Sequence, residues 1–367
     1  MFNRLWRGII VLIIGVLVWP TAVHAQTSLK DRLQAAADKA VTDGLPGVSI
    51  AVRDSKGDFT LVVAGKSDLK ANTPLTTTDI SRIASASKVF VGTVVLQLIQ
   101  EKKIALTDPI ANYIRAENAH HIANADRATI AQLLTHSSGI FDYYDQDFGL
   151  DVPSKMDFTI DEALKYAWDK PALFEPGAKY SYSNTDTLLL GEMIEQVTGM
   201  GVAQAIRTRI LTPLNLKNTY TEVFETVPVK IIRGYAFDKK GNSTEIGDKY
   251  PGGGLPDGGI VTTPKDMVIF MHALFAEGKL LDTPTLQAMI TPQVPTDDGG
   301  SIGYHIFIDD SAHGKMYSHD GGIDGYSSIM MYFPDSDVTI ALWTNGSGRK
   351  ADKAWANLDI VGLVFAH

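Results

Sequence analysis

The period of the apolar positions changes three times along the chain. Leu29, Leu33, Ala36, Ala37 and Ala40 recur near 3.6-residue spacing among charged residues, which predicts an amphipathic helix. Two strand-like runs follow at 47–52 and 59–65, separated by the turn residues Asp54-Ser55-Lys56-Gly57. A long apolar stretch at 89–99 then predicts a helix opening near Ser85. From 104 to 295 the pattern is mostly helical with long loops, clearest at 128–134, 160–168, 187–197 and 267–275. The last third changes character. Strand-like runs occur at 304–308, 315–318, 328–333 and 338–343, with Pro334-Asp335-Ser336-Asp337 as the turn between the last two. Residues 351–365 read as a closing helix.

Strands at both ends and helices between them predict an α/β (α+β) fold. Its mostly antiparallel sheet is built from 26–103 and 296–367, and the mainly helical region 104–295 is inserted into it, the whole making one unit. No internal repeat or low-complexity linker interrupts this order.

The first 25 residues are a different material. Arg4 and Arg7 precede a short apolar run at 8–19, Pro20 follows, and Val23-His24-Ala25 offers small residues at the usual cleavage positions. This is the pattern of a secretory signal peptide cleaved after Ala25, and the run is short for a membrane span. A periplasmic or secreted bacterial protein without a stable membrane anchor is therefore expected. Cysteine is absent, which excludes disulfides, a cysteine nucleophile and thiolate metal sites. The net charge of −9 argues against a nucleic-acid partner.

The candidate chemistry begins at Ser85-Ala86-Ser87-Lys88. A serine hydroxyl is a poor nucleophile until a base takes its proton, and positions i and i+3 share a helix face, so Lys88 can sit beside Ser85. Ser85 falls at a helix start, where unpaired N–H groups favour developing negative charge. Val89 and Phe90 behind Lys88 would desolvate its amine and lower its pKa. The tetrapeptide recurs by chance, so its company decides. Tyr182-Ser183-Asn184 lies in a loop before a helix: Tyr182 can carry phenolate character and relay a proton, and Asn184 can accept from Lys88. Ser318-His319-Asp320-Gly321-Gly322 follows a strand and is glycine-rich, so its backbone can approach a ligand closely.

These motifs, in this order, resemble the serine β-lactamase and penicillin-recognising D,D-peptidase family, in the branch of class C β-lactamases, D-Ala-D-Ala carboxypeptidases, D-aminopeptidases and related esterases. Auxiliary stretches at 132–140, 174–184 and 257–267 agree, and the likeness covers about residues 30–365. The resemblance implies a serine hydrolase that forms an acyl-enzyme on Ser85, with Lys88 and Tyr182 sharing the base role and Asn184 orienting substrate. It places the oxyanion between the N–H groups of Ser85 and Gly322, and His319 where many relatives carry lysine. It implies no metal or organic cofactor. The substrate, a small molecule or peptide with an acyl carbonyl, stays open: a peptidoglycan peptide or β-lactam, an ester or D-aminopeptidase substrate, or a peptidoglycan or β-lactam that is bound with little turnover.

Asp320 departs from the family pattern. A carboxylate after His319 would oppose a substrate carboxylate if it faces the site, and could pair with His319 and raise its charged fraction. Other residues read blandly. His136 packs or caps a turn, His120-His121 is a solvated loop without a carboxylate partner at ligand spacing, and Ser87 points away from Ser85. No G-x-S-x-G and no H-E-x-x-H occurs.

Overall fold

The strand-like runs from the two chain ends pair into one sheet in the computed structural model, which describes residues 27–144, 158–246 and 253–366. The leader expected at 1–25 lies outside the described residues. The strands are β1 (Gly47–Arg53), β2 (Phe59–Asp68), β3 (Thr73–Pro74), β4 (Val294–Pro295), β5 (Ser301–Ile302), β6 (Phe307–Ser311), β7 (Gly314–Ile323), β8 (Tyr326–Phe333) and β9 (Val338–Thr344). They lie in the order β3-β2-β1-β9-β8-β7-β6-β5-β4, every neighbour antiparallel. The chain ends meet at β1 and β9, where Ile50 faces Leu342 and Val52 faces Ile340.

Both faces of the central strands are covered, which is why they read as continuous apolar runs rather than alternating ones. Val48, Ile50, Val52, Ile340, Leu342, Met331 and Phe333 pack with Leu33, Ala37 and Ala40 of α1 (Leu29–Asp43) and with the C-terminal helices. Their alternates Ala51, Ala341, Trp343, Met330 and Tyr332 join the opposite core with α2 (Lys88–Gln100), α3 (Asn184–Thr198) and α4 (Pro264–Phe275). Phe90 of α2 stacks on Phe270 of α4 with ring centroids 3.8 Å apart. Each such aliphatic or aromatic side chain contributes roughly 1.5–3 kcal/mol when fully buried.

Several boundaries differ from the sequence reading. The run at 304–308 becomes a strand only from Phe307, because His305 turns the chain with a φ of 54°. The closing helix is two, α5 (Arg349–Ala356) and α6 (Ile360–Phe365), with Asp359 capping the second through the Gly362 N–H. The stretch 104–295 is not purely helical, since short strands at Tyr220–Thr221, Gly234–Phe237, Ser243–Ile246 and Ile260–Thr262 build two small sheets. His120 and His121 end a short helix, Ala116–His121, rather than lying in a loop, and His121 Nδ1 is 3.0 Å from Asp169, 48 positions along the chain. The 319–322 motif does not follow a strand; it is the second half of β7, in register with β8 from His319 opposite Met330 to Gly322 opposite Ser327.

Candidate active site

Ser85 sits in a single 3₁₀ turn, Ala84–Ser87, that leads directly into α2. Between residues 80 and 96 it is the one position that is not buried. Ala84, just before it, holds a φ of 47°, a conformation disfavoured for a residue with a Cβ. The surrounding structure holds that turn. The Ile83 N–H donates to Ile260 O at 3.1 Å, and Ser328 Oγ donates to Ile83 O at 2.7 Å. Ser87 faces away, accepting the Ile260 N–H at 3.0 Å.

Lys88 is fully buried, and its ammonium has three acceptors for its three N–H bonds: Asn184 Oδ1 at 2.7 Å, Asp257 O at 2.8 Å and Ser85 Oγ at 3.3 Å. The same geometry suits the neutral amine, which keeps the first two bonds and turns its lone pair to the Ser85 hydroxyl. Burial brings the Lys88 pKa down to about 8, against the pull of Asp257, Asp142 and Asp320. Asn184 begins α3 rather than capping it, and is oriented by Asp142, which accepts from its backbone N–H at 3.1 Å and its Nδ2 at 3.0 Å. Tyr143 Oη donates to Asp257 Oδ2 at 2.9 Å and so steadies the loop whose carbonyl holds Lys88.

Tyr182 brings its ring to 5.0 Å from Lys88 Nζ. Burial pushes its phenol well above the ordinary value, with the Ser85 hydroxyl countering part of that rise. The phenolate character expected from the lysine is therefore opposed: in this setting Tyr182 is a protonated phenol. Behind it stand His136, with ring centroids 4.4 Å away, and His305, stacked on His136 at 5.1 Å. The two loops that carry Tyr182 and His136 are zipped by backbone bonds, Ser181 N–H to His136 O at 2.8 Å and Gly177 N–H to Ser137 O at 2.7 Å.

The opposite wall is β7. Its ladder to β6 stops at Ser318 opposite Phe307, so beyond that point one edge pairs with no strand among the described residues and faces the Ser85 turn. Gly321 makes this approach possible, because a Cβ there would overlap Ile83 O and meet Ala86 N at 3.0 Å. Around Gly322 the space is open. The structure thus brings Ser85, Lys88, Tyr182, Asn184 and the 319–322 segment to one place.

A family model described as Beta-lactamase matches residues 31–363, nearly the whole chain. The chain belongs to the beta-lactamase family. It is 27% identical over 318 residues to penicillin-binding protein 4 of Amycolatopsis lactamdurans, covering 82% of this chain and 81% of that one. It is 25% identical over 278 residues to the teichoic acid D-alanine hydrolase of Staphylococcus aureus, of which the match spans only 62%, and 73% of this chain. The D-amino acid amidase of Ochrobactrum anthropi SV3 shares the fold with a TM-score of 0.79 at 26% identity, over 92% of this chain and 98% of that one. This beta-lactamase-family member is a serine hydrolase by that kinship.

Within the family site, the His319–Asp320 pair corrects the sequence reading. His319 is buried, and its Nδ1 lies 2.7 Å from the Asp320 carbonyl oxygen, to which it donates, leaving Nε2 buried and without a partner among the described residues. Burial takes its pKa down to about 4 despite the nearby Asp320 charge, so the imidazole is neutral at pH 7 rather than more fully charged. Asp320 is exposed on the other face of the strand. Asp142, Tyr143 and Asp257 were not singled out from sequence. Asp257 lies in a stretch that resembles the family, but its task is done by a backbone carbonyl, which no side-chain pattern reveals.

Proposed function

We propose that the protein is an exported serine hydrolase that opens amide or ester bonds through an acyl-enzyme on Ser85. The observation that carries this reading is the hydrogen bonding of Lys88: a buried amine with a pKa of about 8, tied to Asn184 and Asp257 so that its third position is spent on Ser85. A base with its pKa near the working pH is the efficient choice for taking a hydroxyl proton. Neutral Lys88 accepts the Ser85 proton as Oγ attacks the carbonyl carbon. The oxygen that gains charge is received by the N–H groups of Ser85 and Gly322. Tyr182, held as a phenol, passes a proton to the departing amine or alkoxide, and water then attacks the ester on Ser85 by the reverse route.

The reading is tested by incubating the protein with a neutral fluorophosphonate and measuring intact mass. One adduct is expected, mapped to Ser85 and absent from Ser85→Ala. No adduct, or an adduct that survives Ser85→Ala, refutes it. Export is supported by the charged-apolar-small order of residues 1–25. Mature protein recovered from the periplasm or medium should begin at Gln26, and an intact leader there would contradict this.

A further inference from the structure

Resting on the serine-hydrolase reading, we propose that Asp320 anchors a protonated amine on the acyl side of the substrate, so that the site selects aminoacyl amides or esters whose α-amine is free. The strand itself supplies the geometry. Along β7, His319 and Gly321 are buried and Asp320 and Gly322 are exposed, so the latter two share the open face. Positions i and i+2 of a strand lie roughly 7 Å apart. In an aminoacyl group the nitrogen sits about 2.5 Å from the carbonyl carbon, two covalent bonds away. A carbonyl held at Gly322 therefore leaves its α-substituent within reach of the carboxylate one pleat upstream.

The charges point the same way. Among the described residues no hydrogen bond or ion pair engages the Asp320 carboxylate. Its field is nonetheless felt within the site, at Lys88, Tyr182, His319 and Tyr180. Lys88 cannot answer it: that amine is buried and bonded to Ser85, Asn184 and Asp257. His319, at the position the family resemblance gives to a carboxylate-binding cation, is neutral, as are the buried His136 and His305. Further acids lie on other elements, Asp257 and Asp142 toward Lys88 and Asp297 and Asp298 toward Tyr180. A substrate carboxylate entering here meets carboxylates, whereas an ammonium meets an acceptor that has no other partner among the described residues.

The experiment compares three p-nitroanilides of alanine, in both enantiomers: with the amine free, N-acetylated, and N-succinylated. They are given to wild type, Asp320→Asn and Ser85→Ala. Wild type is expected to favour the free amine. Asp320→Asn should lose about 10- to 100-fold in kcat/KM on it, as for loss of a charge-assisted hydrogen bond, and change about threefold or less on the acetylated form. The succinylated form should improve. The ratio of free to acetylated substrate should fall above pH ~8, where the substrate amine loses its proton, while Lys88 acts on both and cancels. Equal losses on both substrates, or no loss on the free amine, overturns the proposal while leaving the serine-hydrolase reading intact. Where turnover is slow, protection of Ser85 from fluorophosphonate by alaninamide against N-acetylalaninamide reads the same preference. Turnover that survives Ser85→Ala, or no labelling at all, refutes the hydrolase reading and the anchor with it.

Discussion

At the scale of single residues, the chemistry depends on how Lys88 is held. Lys88→Ala and Tyr182→Phe should each slow acylation by about 10²–10⁴-fold, the span of a positioned acid or base, with folding retained by circular dichroism. Asn184→Asp makes a sharper prediction. It puts a carboxylate where Oδ1 now lies 2.7 Å from the ammonium, so it favours the charged form and moves the alkaline-rising limb of kcat/KM to higher pH. Activity at pH 7 should fall and recover partly by pH 9, and an unmoved limb would show that Lys88 does not set it. Ser85 and Lys88 were legible because i,i+3 spacing is a local property. Asp142 was not, because its contact with Asn184 spans 42 positions and leaves no local pattern. The neutrality of His319 was equally invisible: a strand pattern cannot say that burial outweighs the carboxylate beside it.

At the scale of elements, the site is a seam between the Ser85 turn and the free edge of β7. Gly321→Ala must push these apart, because its Cβ would overlap the Ile83 carbonyl oxygen, a backbone atom that cannot swing aside. We expect a loss of activity of at least ~10²-fold, as misplacing a reacting group by about 1 Å does, together with a lower Tm. Gly322→Ala, with open space around it, should keep the wild-type Tm. Equal Tm values for the two variants would contradict the seam. The sequence pattern placed the central strands well, because β1, β8 and β9 are apolar on both faces. It ended β7 early, since His319-Asp320-Gly321-Gly322 carries none of the β-branched or aromatic residues that mark a strand. Cross-strand register with β8 keeps these residues extended where their own propensity does not.

At the scale of the molecule, both chain ends must meet before the site exists, because Ser85 follows the N-terminal strands and the oxyanion wall belongs to the C-terminal ones. A buried cluster ties these parts together. Arg82 donates to Glu222 through Nε at 2.8 Å and Nη2 at 2.5 Å, and to Tyr326 Oη through Nη1 at 2.8 Å. Tyr326 in turn donates to Ile232 O at 2.9 Å. Glu222→Gln removes the charged acceptor of two Arg82 hydrogen bonds and should cost about 3–5 kcal/mol in urea unfolding, as breaking a buried ion pair does. A loss under about 1 kcal/mol would show that the pair contributes little to holding this cluster together. The two-ended sheet was readable from the order of strand and helix patterns. The Arg82–Glu222 pair was not, since its partners are 140 positions apart.

The central claim, that Lys88 is the base for Ser85, is tested most directly by the pH dependence of Ser85 acylation with a neutral activated ester, followed in a single turnover. With Lys88 as the base, the rate rises through one ionisation near pH 8 and levels above it, as Lys88 loses its proton. A rate that is flat from pH 6 to 9, or that rises around the ordinary histidine value of ~6.5, would contradict it.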